Sequence, residues 1–166
     1  MPPLKEPMEN ECVFSSDRKH RYTLIHRFDP LLGGDRYLMW IGLNPSTADE
    51  SQLDPTLRRI RGYTQREGYD GFIMLNLFAY RATLPEDMKA AKDPVGSDND
   101  RWLVECAERC GKVVAAWGGH GAHLDRATHV CRLLKKFELV CLTRLGDGSP
   151  GHPLYLKKDL RFTPYP

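Results

Sequence analysis

Two apolar runs stand out along the chain, Tyr37-Leu38-Met39-Trp40-Ile41-Gly42-Leu43 and Gly71-Phe72-Ile73-Met74-Leu75-Asn76-Leu77-Phe78, and each stops abruptly at small polar residues. Continuous runs of this kind predict strands buried on both faces. Ahead of them Tyr22, Leu24, His26 and Phe28 alternate with Arg21, Thr23, Ile25 and Arg27, which predicts a strand leaving through the loop 29–35. It is expected to pair antiparallel with the Tyr37–Leu43 strand. Between the apolar runs, Asp54-Pro55 supplies an N-cap and a first-turn proline. Leu57, Ile60 and Thr64 give a helical stripe, and Gly68 ends it. Further on, Ser97 opens a helix to about Cys110, and Lys112 to Trp117 reads as a strand. Leu124, Ala127, Cys131 and Leu134 mark another helix, and Phe137 to Thr143 another strand.

Strand and helix in alternation predict an α/β fold, a three-layer α/β/α sandwich around a central, mainly parallel sheet of about four strands, with the N-terminal strand added antiparallel. With 166 residues, 41% of them hydrophobic, the chain suits one domain over 11–166. Residues 1–10, with three prolines and no periodicity, read as a flexible arm. The strand ends then gather Asn44, Asn76, the run Trp117-Gly118-Gly119-His120 and the run Gly151-His152-Pro153-Leu154-Tyr155 on one rim. Ligands bind at that carboxyl edge of open α/β sheets. Pro45 steers Asn44 away from helical backbone, and Gly42 permits close backbone approach.

Composition narrows the partners more than the fold. A net charge of +2 permits nucleic acid without demanding it. The positive charge clusters at Arg58, Arg59 and Arg61 and again at Lys157-Lys158, which makes these the candidate contacts to a nucleic-acid backbone. No apolar run is long enough to span a bilayer and the first residues lack the apolar core of a signal peptide, so a cytoplasmic protein without a membrane partner is expected. Five cysteines without a Cys-x-x-Cys pair argue against a disulfide framework or zinc ribbon. His120 and His123 have no carboxylate or cysteine at a familiar ligand spacing, so neither a metal nor another cofactor is expected. Gly146-Asp147-Gly148-Ser149-Pro150-Gly151 has the letters of a dinucleotide fingerprint but leads into His152-Pro153 rather than a helix. A Walker lysine motif and a nucleophile elbow are both missing from the sequence.

The stretches Ile41-Gly42-Leu43-Asn44-Pro45-Ser46-Thr47-Ala48-Asp49, Asp54-Pro55-Thr56, Asn76-Leu77-Phe78-Ala79-Tyr80-Arg81-Ala82-Thr83, Trp117-Gly118 and His152-Pro153-Leu154-Tyr155 resemble the bacterial and phage family called domain of unknown function 1643. More distantly, the motif order is similar to the uracil-DNA glycosylase superfamily, with its strand-end Gly-x-(Asp/Asn)-Pro, a mid-chain Leu-Asn, a later Trp-Gly and a final His-Pro. The second resemblance implies a glycosylase-like sandwich and an N-glycosidase acting on a pyrimidine, modified bases included, in DNA or in a nucleotide. It implies that Asn44 positions the attacking water, that Asn76 reads the base edge and that His152 faces the leaving base oxygen. Ser46 stands where uracil-specific members carry a bulky aromatic, which leaves room for a 5-substituent.

The chemistry needs a placed water, donors to the departing base oxygen and an aromatic face, because N-glycosidic cleavage builds negative charge on the base. An asparagine orients water but takes no proton, so a slow enzyme or none is expected, with Asp49 as a carboxylate in reserve. The candidate catalytic residues are therefore Asn44, His152 and Asp49. The candidate base- or substrate-binding residues are Gly42, Pro45, Ser46, Asn76, Phe78, Tyr80, Arg81, Trp117, His120 and Tyr155. A non-catalytic module that binds a nucleotide or modified base in the same pocket is the alternative.

Overall fold

The computed structural model describes residues 11–29, 31, 34–47 and 53–166. The expected arm over 1–10 and Asp49 lie outside them. The elements in chain order are β1 (Glu11–Phe14), β2 (Arg21–Arg27), β3 (Tyr37–Gly42), α1 (Pro55–Arg66), β4 (Gly71–Asn76), α2 (Pro85–Ala90), α3 (Asn99–Cys110), β5 (Lys112–Ala115), α4 (Arg126–Leu133), β6 (Glu138–Cys141) and β7 (Thr163–Pro164). Short 3₁₀ segments at Gly118–Asp125 and Pro153–Tyr155 complete the order.

The seven strands form one mixed sheet in the order β1-β2-β4-β3-β5-β6-β7. Pairings β4–β3, β3–β5 and β5–β6 are parallel, whereas β1–β2, β2–β4 and β6–β7 are antiparallel. The sheet is thus wider than the four strands and one addition expected from the sequence, and half of its pairings are antiparallel. β2 corrects the expectation in another way, since it pairs with β4, Leu24 opposite Met74, and not with β3. The cause is the α1 crossover, which returns β4 to the side of β3 that β2 had been expected to fill. β1 and β7, four and two residues long, were not foreseen.

Period-two alternation sends neighbouring strand residues to opposite faces. In β3, Leu38 and Trp40 join Phe72 and Met74 under Leu57, Ile60 and Tyr63 of α1. Met39 and Ile41 join Ile73 and Leu75 on the other face, under Trp102, Leu103, Cys106 and Ala107 of α3 and Val130 of α4. Helices therefore cover both faces, which is why β3 and β4 are buried throughout their length. Asp54 caps α1 by accepting from the Leu57 N–H at 2.8 Å, and Pro55 follows as the first helical residue. α3 starts at Asn99 with Asp98 in the cap position and no side-chain cap bond, one residue later than a Ser97 cap would set it. Among the described residues no helix is long and apolar enough to cross a membrane.

Candidate functional site

The chain leaves β3 for β4 on one side and later returns to β5 on the other, so the carboxyl end of β3 is the point at which the strand order reverses. A cavity of about 510 Å³ opens there, within the range of small-molecule sites. Gly42, Asn44, Pro45, Ser46, Asn76, Trp117, His120, His152 and Tyr155 all line it. The rim drawn from the strand ends thus converges on one hollow.

Its floor is built by a cross-strand pair. Gly42 and Asn76 are register partners in the parallel β3–β4 ladder. A Cβ on Gly42 would stand 2.8 Å from Asn76 Oδ1 and 2.6 Å from Met74 Cε, so the bare glycine is what lets the Asn76 side chain lie across β3. Asn76 is 4% exposed, yet its side-chain amide has no hydrogen-bond partner among the described residues. A buried amide ordinarily finds partners. This one faces the cavity.

Asn44 behaves differently. Its Nδ2 donates to the Ala82 carbonyl at 2.8 Å and to the Pro45 carbonyl at 3.1 Å. The Ala82 N–H donates in turn to Pro45 O at 2.9 Å, and the Thr47 and Thr83 hydroxyls meet at 2.9 Å. The loops leaving β3 and β4 are therefore fastened together, and Asn44 presents its Oδ1 as the remaining amide group.

On the opposite wall Trp117 is 2% exposed and packs edge-on against Tyr165. The chain turns directly after it because Gly118 takes φ +73°, a left-handed conformation suited to glycine, and its N–H donates to Pro150 O. That bond brings the 150–156 segment to the cavity. His152 there accepts the Leu154 N–H at Nδ1, 3.3 Å away. Burial holds its imidazole below the usual histidine range, against a smaller upward pull from the Asp54 charge. A neutral ring that accepts at Nδ1 carries its proton on Nε2, so His152 offers a donor there. Tyr155, 82% exposed, and Leu145 stand at the mouth. His120 is exposed at the edge, where Lys89 Nζ donates to its Nδ1 at 3.0 Å.

Residues 21–154 match the family described as Protein of unknown function (DUF1643). The chain belongs to that family. The DUF1643 match spans Gly42, Asn44, Asn76, Trp117 and His152, and therefore most of the cavity wall. No curated protein and no solved structure matches the chain.

Three residues expected in the site are elsewhere. Phe78 is fully buried in the α3-side core, its ring 5.6 Å from that of His123. Tyr80 bridges to His20, and the Arg81 guanidinium donates to Arg18 O at 3.2 Å over the Phe14 ring. They fail to reach the cavity because β4 ends at Asn76, after which the chain turns away to pair with residues 94–95 and Lys19. The basic residues proposed for a nucleic-acid backbone are partly engaged by the fold. Arg58 Nε donates to Leu53 O at 3.1 Å, Arg59 Nη2 approaches Leu154 O at 3.5 Å, and Arg61 lies 5.7 Å from the Phe28 ring centroid. Lys157 and Lys158 are exposed, and their carbonyls accept from Tyr63 and Arg66 of α1.

Sequence reasoning also missed wall residues. Arg21, only 6% exposed, lines the cavity because β2 runs antiparallel to β4 and so begins at the end where β4 stops. Asp54 and Thr56 line it because the helix that follows a parallel strand starts at that strand's carboxyl end. Asp54 had been read as a helix cap alone. Among the described residues no group of three or more His, Cys, Asp or Glu is arranged to hold a metal ion. The thiol of Cys110, the last residue of α3, has its pKa pushed up to about 12 by burial and is no ready nucleophile.

Proposed function

We propose that the cavity takes the pyrimidine base of a nucleotide or of an unstacked DNA residue and that the protein is an N-glycosidase with a uracil-DNA glycosylase-like site, working in the cytoplasm. The observation that carries this reading is the Asn76 amide, buried in the cavity floor with no hydrogen-bond partner among the described residues. An amide presents one donor and one acceptor side by side, the complement of a pyrimidine edge. His152 Nε2–H is suited to the base oxygen on which negative charge grows, and a neutral imidazole donates without the cost of burying a second charge. Asn44 Oδ1 is an acceptor suited to a water, and its held amide nitrogen keeps that oxygen in one orientation. Small Ser46 on the wall leaves space for a 5-substituent. A base in duplex DNA would have to be flipped out to enter.

A second reading, a module that binds the same base without cleaving it, is favoured by the engagement of Asn44 Nδ2 with the fold, which makes that residue a loop fastener as much as a water ligand. Base release from oligonucleotides bearing uracil, thymine mismatches and 5-substituted pyrimidines, and from the free nucleotides, separates the two when run beside calorimetry with the same compounds. Release together with binding is the expected result. Binding without release selects the module, and the lack of both removes the nucleobase reading.

A further inference from the structure

The proposed hydrolysis requires a proton acceptor for water, and Asn44 is not one. Of the described residues that line the cavity, Asp54 alone carries a carboxylate. One of its oxygens, Oδ1, accepts the Leu57 N–H at 2.8 Å, which fixes the side chain at the N-terminus of α1. The other has no hydrogen-bond partner among the described residues. Asp54 also lies close enough to His152 for its charge to act on the imidazole across the cavity wall. A helix cap needs only one carboxylate oxygen, and serine, threonine or asparagine does that work as well as aspartate. The cavity wall therefore carries one acid, oriented through one oxygen, with no bond at the other among the described residues, and close enough to His152 for its charge to act there.

We propose that Asp54 is the general base of this site, a proposal that rests on the N-glycosidase reading above. As the water oxygen forms its bond to C1′ of the sugar, the C1′–N bond breaks and its electron pair leaves with the base. The water proton passes to the unbonded oxygen of Asp54. Charge that collects on the base oxygen accepts a hydrogen bond from His152 Nε2–H. The base nitrogen then takes a proton from solvent while Asp54 returns its own, so that one water is consumed and free base and the sugar hydroxyl are formed. The Asp54 carboxylate also faces the cationic sugar of the transition state, whose charge it opposes.

Asp54→Asn is the decisive variant because it keeps the cap and removes only the proton acceptor, and Asp54→Ser repeats the test with a second capping residue. Base release, calorimetric affinity for the corresponding pyrimidine nucleoside, and melting temperature are measured for both beside the wild type. The expected outcome is a kcat lowered about 10²- to 10⁴-fold with KM, affinity and melting temperature unchanged. Release at the wild-type rate by either folded variant overturns the role of Asp54 and leaves the N-glycosidase reading standing. Wild type that binds the nucleoside and releases nothing overturns the role of Asp54 together with the hydrolytic half of that reading. Wild type that neither binds nor releases overturns both entirely.

Discussion

The two sides of the Asn76–Leu77 backbone use side-chain amides for different work. Behind it, Asn99 at the start of α3 is fully buried, and its Nδ2 donates to the carbonyls of Asn76 and Leu77 at 3.0 and 3.1 Å. Arg126 of α4, 5% exposed, adds a bond from Nε to the Leu77 carbonyl at 2.9 Å and pairs with Asp100 at 2.8 Å, which also meets His129. In front, the side chain of Asn76 itself is nearly as buried and makes no such bond. Asn99 is not fully paired either, since its Oδ1 is buried without a partner among the described residues, so the contrast lies in what each amide does: the one behind fastens two carbonyls through Nδ2, and the one in front lies on the cavity wall. The back is fastened to hold the front in place. The front lines the cavity.

Substitution on the two sides should accordingly change different quantities. The largest expected effect is on stability, from Asn99→Ala. It withdraws the donor from the Asn76 carbonyl and one of two donors from the Leu77 carbonyl, and each buried acceptor left unpaired costs about 1 to 3 kcal/mol. Urea unfolding should show a lowered midpoint with an unchanged slope. Asn76→Ala is expected to do the reverse. Its unfolding free energy should stay within about 1 kcal/mol of the wild type because no protein bond is lost, whereas affinity for a pyrimidine nucleoside should fall by about 1 to 3 kcal/mol, roughly 5- to 150-fold. Equal stability losses for the two variants would contradict the division between a fastened and an open side.

Gly42→Ala sharpens the same contrast with a smaller change. The new Cβ would stand 2.8 Å from Asn76 Oδ1 and 2.6 Å from Met74 Cε, and both are the far ends of side chains able to give way. The strand should therefore survive while the Asn76 amide is pushed off its position. Affinity is expected to drop about tenfold, within the range for disturbing one buried polar contact, with a stability loss of about 1 kcal/mol from crowding. Unchanged affinity in calorimetry would mean that Asn76 does not read the ligand from this position.

The front was more legible in the sequence than the back, for a physical reason. Apolar runs that stop at Gly-x-Asn-Pro or Leu-Asn locate strand ends, and parallel strands bring their ends to one edge, so Asn44, Asn76, Trp117 and His152 were placed together from pattern alone. The back is made by Asn99, Asp100 and Arg126, polar residues whose bonds span 22 to 49 positions of chain and which follow no period. Local pattern also misled just beyond β4. Phe78, Tyr80 and Arg81 follow Asn76 closely enough in sequence to join its rim, but the strand ends at Asn76 and the chain carries them elsewhere. Asp54 shows the remaining kind of gap. Its capping role was visible as Asp-Pro, and its place on the cavity wall follows only once α1 is attached to the carboxyl end of β3.

The smallest expected effect distinguishes the two sides by acid. Burial keeps the folded His152 imidazole below its ordinary value of 6.5, so in the window just under that value the unfolded chain binds a proton that the folded chain refuses. Stability from this residue is therefore complete above pH 6.5 and lost as pH falls toward the folded value. At Asp100, burial pushes the carboxyl upward, but the hydrogen bonds from Arg126 and His129 outweigh it and hold the group below 3.8. The sign is the same and the window lower, since the contribution of Asp100 is present above pH 3.8 and is lost as pH falls through its folded value. Melting temperature should then decline in two stages on acidification, the first from the cavity side and the second with a contribution from the back. His152→Asn keeps a side-chain acceptor for the Leu154 N–H and removes the titration, so it should flatten the upper stage alone. Asp100→Asn should reduce the lower stage alone, to which Asp17 and Asp147, held below 3.8 by hydrogen bonds from Ser15 and Lys19 and from Ser149, also contribute. Nucleoside affinity is expected to fall with the upper stage, because a protonated imidazole can no longer accept from Leu154 and the 152–155 turn loses its anchor beside the cavity. An upper stage that persists in His152→Asn would assign that pH dependence to a group outside the cavity wall.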